Sequence, residues 1–76
     1  MSTFNGSKNW DTHNAILWLA NYDAATYEVA REAAAESLTM EDFADVGQDL
    51  IEHMGNPDGI DYREIYWPEV YSAFFE

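Results

Sequence analysis

Met40-Glu41-Asp42-Phe43-Ala44-Asp45-Val46-Gly47-Gln48-Asp49-Leu50-Ile51-Glu52-His53-Met54-Gly55 is the stretch whose reading decides the fold. Met40, Phe43, Val46, Leu50, Ile51 and Met54 recur at spacings of three and four, which places them on one face of a helix. Thr39 stands where a hydroxyl can cap the first turn, and Thr39-x-x-Asp42 is a capping box with Asp in place of Glu. Gly55 occupies the C′ position, where a residue of positive φ closes a helix. Gly47 costs this helix about 1 kcal/mol relative to alanine, so its presence predicts a neighbour packed close to the backbone. The opposite face is acidic: Glu41, Asp45 and Asp49 fall four apart, with Asp42 and Glu52 beside them.

Working back towards the N-terminus, Asp23 is placed to cap a second helix predicted over 24–37. Tyr27, Ala30 and Ala34 form its apolar side, with Val29 and Ala33 beside them, and its many small residues permit a close neighbour. Glu28, Glu32 and Glu36 form a second acidic row, turned away from that side and expected to be exposed. Asn9 or Asp11 caps a first helix that Asn21 ends. Trp10, Ile16, Leu17, Trp18 and Leu19 do not share one narrow stripe, which predicts burial over a wide arc. Residues 1–8 are small and polar apart from Phe4, and read as an extended arm.

Beyond Gly55, Asn56-Pro57-Asp58-Gly59 is a turn by composition. Asp61-x-x-Glu64 opens a short helical turn to about Tyr66, and Pro68 starts a last helix over 68–75. Ile60, Ile65, Trp67, Val70, Tyr71, Phe74 and Phe75 supply its apolar contacts. No segment alternates with period two long enough to read as a strand. The expected fold is all-α: one domain spanning 1–76, a compact bundle of four to five short helices around an aromatic core.

Composition narrows the function. Apolar residues make up 47% of the 76 residues and aromatics 16%, enough for a packed core despite the charge. Fifteen Asp and Glu face only Lys8, Arg31 and Arg63, for a net charge of −12. Self-repulsion of this size disfavours nucleic acid and anionic membrane and favours basic partners. The chain has no cysteine, which excludes disulfides, thiolate nucleophiles and sulfur-ligated metals. No apolar run reaches the length of a membrane span and no signal peptide opens the chain, so a soluble cytoplasmic protein is expected.

Little points to catalysis. His13 and His53 lie far apart with no nucleophile to activate, and the acids sit on expected solvent faces where nothing drives their pKa values apart. An enzyme, a cofactor and a metal are therefore not expected. A calcium loop fails on inspection: aligning Gly59 with the loop glycine puts Met54 and Ile65 at the first and twelfth positions, which must be acidic. There is no phosphate-binding loop. Three bases are too few to neutralise a nucleic-acid backbone.

The acid rows carry a cost. The pairs 28/32, 32/36, 41/45, 42/45, 45/49 and 49/52 set like charges at helical spacing, each destabilising by about 0.2–0.5 kcal/mol. An ordinary surface helix would place Lys four residues after Glu and recover that energy. The field is thus either wanted, or tolerated as the solvation device of a halophile. One row sets a charge every ~6 Å, too sparse to match a DNA strand at ~3.4 Å per charge. Two rows side by side on packed helices, supplemented by Asp23, Asp58 and Asp61, come nearer. Such a surface fits a protein groove built for a nucleic-acid backbone.

Asn9-Trp10-Asp11-Thr12-His13-Asn14-Ala15-Ile16-Leu17-Trp18-Leu19 resembles the N-(Y/W)-(E/D)-T-W-N-x-x-L-W motif of small uncharacterised proteins of phages and mobile elements, with His13 in place of the usual Trp. Asp61-Tyr62-Arg63-Glu64-Ile65 is similar to the D-W-R-E-I segment near their C-termini. The resemblance covers about a third of the chain and implies a phage or mobile-element origin. Small acidic helical proteins of that setting are often anti-CRISPR or antirestriction inhibitors that mimic DNA. The motif itself is expected to be structural, with both tryptophans in the core. The resulting expectation is an anti-CRISPR protein acting in the host cytoplasm during infection. It would present Glu28, Glu32, Glu36, Glu41, Asp42, Asp45, Asp49 and Glu52 to the basic DNA-binding groove of an effector complex. The alternatives are an antirestriction mimic, and an acidic interaction or scaffold protein binding through Tyr62, Tyr66, Trp67 and Tyr71.

Overall fold

The computed structural model describes residues 9–75; the arm expected at 1–8 lies outside them. Four α-helices follow in order: α1 Trp10–Asn21, α2 Ala24–Glu36, α3 Met40–His53 and α4 Trp67–Phe74, with a 3₁₀ turn at Tyr62–Glu64 before α4. Each helix packs against the other three, and no strand forms among the described residues. The fold is a small all-α bundle.

Local chemistry sets the helix ends. Asn9, Asp23 and Thr39 each accept the backbone N–H three residues on, from Thr12 at 2.8 Å, Thr26 at 2.7 Å and Asp42 at 3.1 Å. At the end of α3 the Gly55 N–H donates to the Glu52 carbonyl and the Asn56 N–H to the Ile51 carbonyl. This is a Schellman closure, and it needs Gly55 at φ +90°. Asn56 then holds the following turn with its own amide, Nδ2 donating to the Ile60 carbonyl and Oδ1 accepting the Ile60 N–H. Helix α4 starts at Trp67, one residue before the expected Pro68. Proline is tolerated throughout a first turn, whose N–H groups have no helical partner in any case.

The core consists of Ala15 and Leu19 of α1, Ala30 and Ala34 of α2, Phe43 and Ile51 of α3, Ile60 and Ile65 of the connection, and Val70 and Phe74 of α4. On α3 the deepest stripe is Phe43, Gly47 and Ile51, while Met40, Val46, Leu50 and Met54 are half-buried around it. The alanine side of α2 lets α1 and α4 approach, and Tyr27 meets Phe74 with ring centroids 5.8 Å apart. Phe43 is ringed edge-on by Trp67 at 6.1 Å and Tyr71 at 5.5 Å.

Two expectations about burial are corrected. Trp10 is 41% exposed and so is not a core residue, while Trp18 is half-buried and packs against the core from its edge. Val29, expected beside the apolar side of α2, is 43% exposed. The motif is structural through its polar members instead. Asn9 Nδ2 donates to the Glu64 carbonyl at 2.8 Å, Asp11 Oδ1 accepts the Asp61 N–H at 3.0 Å, and the fully buried Thr12 accepts the Tyr66 N–H at 2.8 Å. These three side chains at the start of α1 satisfy the backbone of the 61–66 connection, which has few hydrogen bonds of its own.

Candidate protein-binding surface

All eight acids of the two rows are exposed. On α2 the buried residues are Ala30 and Ala34, and Glu28, Glu32 and Glu36 lie round the helix from them. On α3 the buried stripe is Phe43, Gly47 and Ile51, and Glu41, Asp42, Asp45, Asp49 and Glu52 occupy the opposite side. Neither row is turned into the bundle.

The flanks of α2 and α3 meet where Thr26 and Val29 of α2 share a cleft with Leu50 and His53 of α3. The start of α2 therefore lies beside the end of α3, and the helices run antiparallel across the Ser37–Thr39 connection. The backbone and side-chain hydrogen bonds from Thr26 hold the Asp23 carboxyl below the usual range, with a smaller contribution from His53. Tyr22, Ala25, Val29 and Leu50 give this cleft its apolar lining, and none of the eight acids of the rows lines it.

None of the eight carboxylates is in an ion pair among the described residues. Arg63 pairs with Asp61 at 3.2 Å, and that hydrogen bond holds the Asp61 carboxyl below the usual range. Arg31, the one base within the acid stretch, sets its guanidinium 5.9 Å from the Tyr27 ring centroid. Burial pushes the Tyr62 phenol up, with the nearby negative charge of Glu52 adding to it. Among the described residues no group of three or more His, Asp and Glu is arranged to hold a metal ion. Among the described residues no helix is long and apolar enough to cross a membrane.

The C-terminal aromatics proposed for a scaffold surface are largely spent on packing. Tyr62, Trp67 and Tyr71 are half-buried against the core, and only Tyr66, at 47%, is exposed. The exposed apolar surface that sequence reasoning missed is on α1 and its C-cap, where Trp10 and Leu17 of the helix and Tyr22 just after it are 41%, 42% and 47% exposed. Its signal was present in the spacing: Trp10, Asn14, Leu17 and Asn21 fall at intervals of four and three, a stripe of their own on the helix. The chain matches no protein-family model, no curated protein and no solved structure.

Proposed function

We propose that this protein is a host-defence inhibitor of phage or mobile-element origin, an anti-CRISPR protein. It acts in the cytoplasm of the infected cell by occupying the Lys/Arg-lined channel in which a CRISPR effector complex binds target DNA. The observation that supports the reading is the pair of exposed acid rows on α2 and α3, none of whose carboxylates is in an ion pair among the described residues, although Arg31 shares a shallow cleft with Glu28 and Glu32. Glu28 to Glu36 spans about 12 Å and Glu41 to Glu52 about 16 Å, the length of some four phosphates along a DNA strand.

The mechanism involves no chemistry. Carboxylates take the place of phosphates on the channel's bases, and the bound domain excludes DNA by volume. Charge steers the encounter, so association is fast at low salt and weakens as salt screens it.

The test is competition for target DNA by a purified effector complex, with a restriction enzyme as the parallel target. Wild-type protein should displace DNA from the effector in a salt-dependent manner. The combined Glu32→Gln, Asp45→Asn and Asp49→Asn variant should fail to do so while keeping its helical spectrum. Inhibition that survives this triple change would sink the acid-row mechanism. Inhibition confined to the restriction enzyme would move the target to its DNA groove.

A further inference from the structure

A groove of about 300 Å³ runs between α1 and the 56–59 turn, lined by Asn14, Leu17, Trp18, Asn21 and Asp58. Its volume is at the small end of ligand pockets and suits one side chain rather than a cofactor. Leu17 and the Trp18 indole form the apolar wall. The polar groups have one thing in common.

Asn14 Nδ2 donates to the Trp10 carbonyl and Asn21 Nδ2 to the Leu17 carbonyl, both at 3.0 Å, so each amide spends one of its two N–H donors on its own helix. The Trp18 indole N–H is spent on Asp58 Oδ2 at 2.7 Å. The two amide oxygens and the second carboxylate oxygen of Asp58 accept no hydrogen bond among the described residues, and beside the one remaining N–H of each amide they leave the groove acceptor-rich. Among the described residues no base lines the groove. It offers acceptors, one negative charge and an aromatic wall, which is the complement of a cation with an apolar stem.

We infer that this groove binds a single arginine side chain of a partner protein, its methylenes on Leu17, its guanidinium against the Trp18 ring and its N–H groups on Asp58 and the asparagine oxygens. A guanidinium fits better than an ammonium because it is planar, stacks on an indole and directs several donors in its plane. The site is separate from the acid rows. Tyr22 lies between this groove and the α2–α3 cleft: its ring is 6.4 Å from that of Trp18 and it also lines the cleft. A basic partner lying across the acid rows has an anchoring point here that does not depend on them.

The test is a titration of the intact protein with Nα-acetyl-arginine methylamide, followed by proton–nitrogen NMR at the Trp18 indole N–H. The lysine and the neutral citrulline analogues serve as comparisons. The expected result is a saturable shift at Trp18, tighter for arginine than for lysine and absent for citrulline. Asp58→Asn keeps an acceptor for the indole and should weaken arginine binding about fivefold. The triple acid-row variant should leave it within twofold, so failure here is distinguishable from failure of the competition with DNA. Equal shifts at the Trp10 and Trp67 indoles, citrulline or lysine binding as tight as arginine, or an Asp58→Asn variant that binds normally would each overturn the inference.

Discussion

The Trp67 ring occupies the space that a side chain at position 47 would need: a Cβ on Gly47 would stand 2.5 Å from Cζ3 and 2.9 Å from Cη2 of the indole. That contact sets the approach of α4 to α3, and the ring is held edge-on to Phe43 as it makes it. Gly47→Ala gains about 1 kcal/mol of helix propensity and incurs about 1–3 kcal/mol of overpacking, so it should lower stability on balance. In a Trp67→Ala background the clash is gone and the same change should stabilise by about 1 kcal/mol. Urea unfolding of the four proteins measures the cycle; a Gly47→Ala effect of the same sign and size in both backgrounds would refute the packing account.

Thr12 ties α1 to the segment leading into α4. Its hydroxyl accepts the Tyr66 N–H, and the residue is 0% exposed. Thr12→Val keeps the shape but strands that N–H, at a cost of about 1–3 kcal/mol. Thr12→Ser keeps the acceptor and should cost less. Amide hydrogen exchange at Tyr66 gives a local readout, with faster exchange expected in Thr12→Val and near-normal exchange in Thr12→Ser.

Asp23 makes the cap of α2 sensitive to acid. Its folded pKa lies below the ordinary aspartate value of 3.8, first because the Thr26 backbone N–H bonds the carboxylate. A depressed folded pKa contributes stability that is fully present above the ordinary value and is lost as pH falls through the folded one. Asp23→Asn keeps a capping oxygen and removes the titration. The difference in melting temperature between wild type and Asp23→Asn should therefore shrink between about pH 5 and about pH 2. A constant difference would mean that the cap does not titrate.

The acid rows should make the fold salt-responsive without making it salt-dependent. All six like-charge pairs include Glu32, Asp45 or Asp49, so neutralising those three should stabilise the protein by about 1–3 kcal/mol. Raising salt from about 10 mM to about 150 mM should raise the wild-type melting temperature and move the triple variant less. Wild type should remain folded at the lower salt. Unfolding there, seen by circular dichroism, would point to a halophilic surface rather than a binding one.

Much of the architecture was legible in local spacing. The caps at Asp23 and Thr39, the Gly55 closure, the close contact at Gly47 and the outward turn of both acid rows all follow from relations among residues within a few positions of each other. The same is true of what the rows cost the fold, whereas the choice of Asn9 over Asp11 as the first cap did not follow from them. Helix α1 marks where such reasoning stops. Its apolar residues lie nearly all round the helix, so periodicity did not say which side the rest of the chain would cover.

By itself the sequence determined the helices, their ends and the acidic character of two of them, because hydrogen bonding and charge repulsion at helical spacing are local. Only the tertiary structure decided which aromatics are buried. Trp67 and Tyr71 pack on Phe43 because α4 crosses α3 at Gly47, and Trp10 and Leu17 are partly exposed because, among the described residues, no element covers that side of α1. It also decided that Asp11 and Thr12 bond the 61–66 connection and that Asp58 meets the Trp18 indole. Partners that lie 40, 50 and 54 residues apart leave no trace in spacing; burial and long-range hydrogen bonds depend on what the remainder of the chain brings alongside.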